Sequence, residues 1–292
     1  MHTHKTLARW SLFGFMCLLV MVVDLPIITL VLNSFRSTAE ILSSSSIIPA
    51  APSLVNFEYV AQRTSFFRYL LNSLVMAGGG MALSIAVATL AGYALSRFRS
   101  RVINAYASGL FLVQMFPILL ALIPLFIFFR TLGLVNTYWS VIILYTVAQL
   151  PFATSMFRAF FDGIPYDLEE AAKIDGANRF QAFGLVVLPL AGPAIAAVAI
   201  FAFLFSYNEY LVAAVMLRRE ELYTVPIGIQ QFMQQYATDW GSLMAAATMA
   251  LLPTFVLFLF IQKYMMYGAI GSGAQRLVAC SCVAVCPYPG VD

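Results

Sequence analysis

Acidic, basic and small residues gather in one short stretch between two long apolar runs. It reads Ile164-Pro165-Tyr166-Asp167-Leu168-Glu169-Glu170-Ala171-Ala172-Lys173-Ile174-Asp175-Gly176-Ala177-Asn178. Its chemistry is recognition rather than catalysis. Pro165 ahead of Asp167, with Glu170 three residues on, is a helix start of the capping-box kind. Leu168, Ala171, Ala172 and Ile174 give that helix an apolar side. Gly176 ends it, because glycine takes a positive φ without steric cost. A second short helix is predicted from Asn178 to Ala182. A helix–glycine–helix of this kind suits a groove on a partner protein or simply a solvated loop, and spacing alone leaves both open.

No catalytic constellation accompanies it. Both histidines, His2 and His4, stand at the start of the chain. Cys280, Cys282 and Cys286 crowd its last positions with no histidine or fourth thiol nearby, so no metal site is expected there. None of Lys5, Lys173 and Lys263 sits in a G-x-x-x-x-G-K-[ST] context, so no P-loop is expected and no cofactor is assigned to the chain. Any ATP it uses is expected on another subunit.

The elements that position this loop are membrane spans. The 292 residues are 62% hydrophobic and 10% charged, with a mean hydropathy of +0.88. Soluble domains run to about 45–50% apolar and about 25% charged, so an all-α polytopic membrane protein is expected. The net charge of +3 is scattered, with no basic face for nucleic acid. Six runs meet the requirement of about 20 apolar residues per span: 10–32, 69–96, 102–129, 138–160, 183–207 and 243–267. Asp24, beside Pro26, is the one acidic residue inside them, and is read as reaching the interface. The first run exceeds a signal-peptide core and lacks a clean cleavage site, so it is expected to persist. With the N-terminus inside, ten of the 16 Lys and Arg fall on the cytoplasmic side, led by Arg97, Arg99 and Arg101. Both termini are then cytoplasmic. The segments 33–68 and 208–241 are expected outside, the first as an irregular loop, and 164–182 inside. Gly78-Gly79-Gly80 predicts close helix packing or a flexible point.

Glu170-Ala171-Ala172, three residues, Gly176, nine residues, then Val186-Val187-Leu188-Pro189 resembles the EAA motif of binding-protein-dependent ABC transporter permeases, E-A-A-x3-G-x9-I-x-L-P. Val186 stands where isoleucine is usual. Asp175-Gly176-Ala177 is similar to the wording of the carbohydrate branch. From the first span to about Gly271 the chain looks like the MalG-type subunit of carbohydrate importers. Tyr93-Ala94-Leu95-Ser96-Arg97-Phe98, Met115-Phe116-Pro117, Phe205-Ser206-Tyr207-Asn208-Glu209-Tyr210 and Thr224-Val225-Pro226-Ile227-Gly228 share in the likeness.

The resemblance implies a type I ABC importer fold over residues 1–271, in a bacterial or archaeal cytoplasmic membrane. It implies two ATPase subunits that hold ATP and Mg, a second homologous permease in a heterodimer, an extracytoplasmic solute-binding protein, and a sugar, oligosaccharide or polyol as cargo. Asp167, Glu170, Ala171, Ala172, Asp175 and Gly176 would couple to the ATPase, with Glu170 anchoring the contact. Asn208, Glu209, Gln230, Gln231, Gln234, Gln235 and Tyr236 would meet the binding protein or its sugar, or form a polar rim against the second permease. Asn72, Gln114 and Gln149, with Ser206, would line a sugar path or hydrogen-bond helix to helix. The tail 272–292 departs from the family pattern and carries no assigned role. A self-sufficient secondary transporter, or the same fold importing another nutrient, is the alternative. Ion-coupled transporters carry ionisable groups at mid-membrane, and here only Asp24 comes close.

Overall fold

The structure, a computed structural model, describes the backbone of residues 2–233 and 238–285 and the side chains of 12–103, 105–233 and 238–262. In chain order the helices are α1 His2–Asn33, α2 Thr38–Ser43, α3 Val55–Arg63, α4 Phe66–Arg97, α5 Arg101–Met115, α6 Ile118–Thr131, α7 Tyr138–Asp162, α8 Asp167–Ile174, α9 Arg179–Ala182, α10 Leu188–Leu190, α11 Gly192–Asn208, α12 Leu211–Met216, α13 Val225–Gln231 and α14 Trp240–Val285. A π-helical turn, Phe183–Val187, joins α9 to α10, and a 3₁₀ turn, Glu220–Leu222, precedes α13. No strand occurs among the described residues beyond an isolated bridge between Met233 and Thr238.

Among the described residues, four helical stretches are long and apolar enough to cross a membrane: Leu12–Asn33, Phe66–Arg97, Tyr138–Asp162 and Trp240–Gln262. Two bent pairs bring the number to six if each is one span. The run 102–129 is therefore not the continuous helix its hydropathy predicts: α5 and α6 meet at 101°. Phe116 has φ −80°, ψ 124°, because the ring of Pro117 disfavours α backbone in the residue before it. The run 183–207 is broken as well, by 73°. Its backbone widens into the π turn and leaves the helical region at Ala191, ahead of Gly192-Pro193.

The segment 33–68, predicted to be an irregular loop, is partly helical, and so is 208–241. Ser37 caps α2 by accepting the Glu40 N–H. The Glu209 carboxylate accepts the N–H groups of Leu211 and Val212, both at 2.9 Å, at the start of α12. Pro226 lies in the first turn of α13, where its missing N–H costs nothing.

Two compact units are distinguished. In the first, Met1–Leu70 with Thr224–Leu252, Arg36 is buried and donates to Asn33, Glu40 and the carbonyls of Glu40, Ser44 and Ser46. One guanidinium thereby satisfies several carbonyls in a stretch with little regular structure. Asp239 caps α14, accepting from the Ser242 N–H at 3.2 Å and the Thr38 hydroxyl at 2.7 Å. None of the most apolar stretch of α1 is buried within the chain.

In the second unit, Leu71–Tyr223 with Pro253–Asp292, glycines set the distance between α4 and α7. A Cβ on Gly79 would lie 2.9 Å from Ile142 Cδ1, and one on Gly92 would lie 2.6 Å from Phe157 Cβ. The backbones approach because hydrogen alone fits there. Around this contact Ala88, Phe157, Phe161, Ile164, Val187, Ala191 and Val198 form a buried apolar cluster, with Tyr93 and Phe183 packed against it.

Candidate functional site

The loop after α7 is built from the end of that helix onward. Tyr166 already has helical dihedrals, φ −66°, ψ −26°, and no side chain caps α8. The predicted capping box at Asp167 therefore does not form. Asp167, Glu169 and Glu170 instead place three carboxylates in the first turn, where the free N–H groups of a helix start favour negative charge. The capping box lies one helix later. Asn178 Oδ1 accepts the Gln181 N–H at 2.9 Å, and Gln181 Oε1 accepts the Asn178 N–H at 2.8 Å.

The glycine stop is where the sequence puts it. Gly176 has φ +91°. Its N–H donates to the Lys173 carbonyl, and the Ala177 N–H donates to Ala172, both at 3.0 Å. Those two bonds close the end of α8 in the paired pattern that a left-handed glycine permits.

The side of α8 turned into the protein is ionic. Glu169 is 1% exposed. Its Oε1 accepts from Arg97 Nε at 2.5 Å, and its Oε2 accepts from the Tyr93 hydroxyl at 2.7 Å. Arg97, the last residue of α4, spends its remaining donors on the chain leaving α7. Nη1 donates to the Phe161 carbonyl and Nη2 to that of Ile164, both at 3.0 Å. Nη1 also reaches Ser96 Oγ, whose own hydroxyl donates to Asp162 at 2.6 Å. Tyr93 packs its ring against Phe161 and Phe183, with centroids 5.9 and 4.6 Å apart. A single guanidinium thus joins α4, the end of α7 and the first turn of α8.

The apolar side predicted for α8 faces the other way, outward. Ile174 is 86% exposed, and Leu168, Glu170 and Ala171 are exposed with it. Ala172 is half-buried, and Asp167, Asp175 and Gly176 are exposed. Beyond the glycine, Phe180 is 84% and Leu185 75% exposed. An open cavity of about 750 Å³ lies between the end of α4 and the chain leaving α7, with Arg97, Arg99, Arg158 and Tyr166 among its walls.

The loop falls inside the part of the chain that defines its relationships. Residues 80–266 match the family "Binding-protein-dependent transport system inner membrane component". The chain belongs to that family. This inner-membrane permease component is 31% identical to the probable ABC transporter permease protein YurM of Bacillus subtilis, over 91% of this chain and 88% of that one. It is 31% identical to the maltodextrin transport system permease protein MdxG of the same organism, over 94% and 98% of the two chains. Among solved structures, a bacterial ABC transporter involved in the import of alginate shares the fold. The TM-score is 0.75 at 23% identity, covering 89% of this chain and 96% of that one.

The other residues singled out in this permease's sequence are spread over several places. Asn72 is fully engaged: its Nδ2 donates to the Glu221 and Tyr223 carbonyls at 2.9 Å, and its Oδ1 accepts from the Tyr138 hydroxyl at 2.6 Å. Gln114 is exposed on α5. Gln149 is buried, donates Nε2 to Ser206 Oγ at 2.6 Å, and leaves Oε1 without a protein partner. A cavity of about 210 Å³ adjoins it, walled by Phe152, Phe201 and Phe205. Asn208 folds back on the Leu204 carbonyl, and Glu209 is occupied at the start of α12. Gln230 is exposed, and Gln231 accepts from the Tyr69 hydroxyl at 3.3 Å. Gln234, Gln235 and Tyr236 lie outside the described residues.

Tyr93, Arg97 and Glu169 are the residues that sequence reasoning missed. Tyr93 and Arg97 stand four apart on one helix, hence on one face, and that spacing was the available signal. Nothing in it names a partner carboxylate 72 positions later.

Proposed function

We propose that this permease is a transmembrane subunit of an ATP-driven importer for a sugar, oligosaccharide or related polyol. It crosses the bilayer six times, with both termini cytoplasmic. The observation that carries the coupling role is that α8 leaves its apolar side exposed and turns Glu169 inward, with Asp167 and Glu170 still facing out. A solvated loop helix would turn Leu168, Ala171 and Ile174 toward the bundle and its carboxylates toward water. Here Glu169 is turned in, while Ile174, Phe180 and Leu185 point away from the protein. Large apolar side chains grouped on an outward loop mark a protein interaction site, and an amphipathic helix laid in a groove is a recurrent way to fill one.

The occupant of that groove-facing side is a cytosolic ATPase, present in two copies. Those subunits hold ATP and Mg, since the sequence has no P-loop. Glu170, next to Ala171 and Ala172, makes the polar part of the contact, and Asp167 and Asp175 flank it. The Gly176 turn sets the angle between α8 and α9. ATP-driven closure of the ATPases draws this loop toward that of a second, homologous permease, and the spans rock between two states as rigid bodies. The carbohydrate class is supported by a relative named for maltodextrin transport and a structural neighbour that imports alginate. On the outer face, Gln230 and Gln231, with Gln234, Gln235 and Tyr236, receive a sugar-loaded binding protein. Gln149, with its unused Oε1, offers a hydrogen-bond acceptor along the path.

Co-purification in detergent tests the reading. Wild type is expected to retain its ATPase, and Glu170→Ala, Ile174→Ala and Phe180→Ala to lose it at least in part. If no ATPase associates and the chain takes up solute alone, the secondary-transporter alternative replaces this one.

A further inference from the structure

We infer that Arg97, Glu169 and Tyr93 form a latch that makes α8 move as one body with α4 and α7. They are positioning residues for transport, acting behind the surface that meets the ATPase. The inference rests on the coupling role proposed above, and assigns a function to three residues outside the docking motif.

Without these three residues α8 would be weakly held. It is an eight-residue helix, too short to hold its own position. It hangs between Gly163-Ile164-Pro165 on one side and the Gly176 turn on the other. Leu168, Ala171 and Ile174 do not anchor it, because they are exposed. The polar tie from α8 to α4 is the Glu169 carboxylate, with one oxygen on Arg97 and the other on Tyr93; α8 also packs against the Phe183–Val187 turn. A pull on the outer side of α8 therefore reaches α4 and the end of α7 through that carboxylate.

Arg97 suits the receiving end. Its planar fork of donors holds one backbone carbonyl in the last turn of α7 and one just past it while Nε holds Glu169, so α4 and α7 are engaged together. Those two helices are already in backbone contact one turn away, where Gly92 meets Phe157 and Thr154. The latch stands at the end of a rigid pair, and load on Glu169 has no compliant element to disappear into. Lysine at 97 would keep the charge and lose the fork. Glutamine at 169 would keep the shape and lose the charge.

The test uses the whole importer in nanodiscs: this chain, its second permease, its ATPases and its binding protein. Spin labels at Leu90→Cys on α4 and Lys173→Cys on α8, the latter away from the docking side, in a background without native cysteines, report the separation of the two helices. Spectra are taken without nucleotide and after trapping with ATP and vanadate. In the parent chain the α4–α8 distance is expected to stay the same through trapping. In Glu169→Gln the ATPase remains bound, because the outer face is intact, and a second, longer distance appears on trapping. Its population should rise about tenfold, as expected for losing a hydrogen bond to a charged group.

Tyr93→Phe keeps the ring packing and removes only the hydroxyl. It should raise the same population about fivefold on the same scale, and it decides the matter if Glu169→Gln does not assemble. ATPase bound with an unchanged distance in the assembled variants overturns the latch alone. A labelled parent chain that retains no ATPase overturns the importer reading, and the latch with it.

Discussion

Glu169 and Glu170 are adjacent, identical in type and opposite in environment. That contrast yields a sharp expectation. Glu169→Ala strands Arg97 in a site that is 9% exposed. Breaking one partner out of a buried ion pair costs about 3–5 kcal/mol, so the melting temperature of the purified protein should fall by several degrees. Glu170→Ala removes an exposed carboxylate, for which changes stay within about 0.5 kcal/mol, and should leave melting unaltered while weakening ATPase retention. Equal effects of the two on melting would contradict the burial seen here. The same pair shows how far the sequence could be read. Glu170, Gly176 and Leu188-Pro189 stand at fixed short offsets, so local spacing was enough to find them. The burial of Glu169 depends on Arg97, 72 residues earlier, and no local pattern carries that information.

At the level of elements, hydropathy located the apolar runs and missed their breaks. Apolarity says where a chain can meet lipid, whereas bends at Phe116 and Ala191 follow from backbone constraints around Pro117, Pro189 and Pro193. The glycine run 78–80 was legible as a packing signal, and Gly79 and Gly80 do meet α7, but the closest approach is at Gly92, an isolated glycine that no repeat marked. Gly92→Ala would set a methyl 2.6 Å from Phe157 Cβ and 3.0 Å from the Arg158 amide nitrogen. Overpacking of this kind costs about 1–3 kcal/mol, so thermal unfolding in detergent should shift downward, while Gly78→Ala, which meets nothing within 4 Å, should be silent. The start of α14 offers a pH test. Burial of the Asp239 carboxyl opposes ionisation, yet bonds from Ser242, Thr38 and the Gly241 N–H outweigh it and hold its pKa below the ordinary carboxylate value. A group depressed on folding stabilises above its unfolded pKa and loses that contribution as pH falls through the folded value. The cap should therefore hold from neutral pH down to about pH 4 and weaken below it. Limited proteolysis between α13 and α14 should accelerate in that acid range in wild type. In Asp239→Asn, fast cleavage at neutral pH should vary little with acidification.

For the molecule as a whole, the composition that excluded a soluble protein also implies apolar surface that something in the membrane must cover. Among the described residues, α1 exposes apolar side chains around its full circumference, from Leu12 through Ile28. A helix apolar on all sides needs lipid or a neighbouring protein around it, and a second permease would supply part of that surface. Orientation is then the property on which the functional proposal depends most, since α8 couples to a cytosolic ATPase only if it lies inside. The charge bias of ten basic residues against six predicts that it does. Single cysteines introduced into a cysteine-free chain should separate the two faces. Ser45→Cys, in the segment between α2 and α3, should react with an impermeant maleimide in intact cells, and so should Glu220→Cys. Ser100→Cys and Asp175→Cys should react only after the membrane is opened. The reverse pattern would place the exposed Ile174 and Phe180 outside, where no ATPase could reach them, and would remove the coupling proposal whatever the sequence family implies.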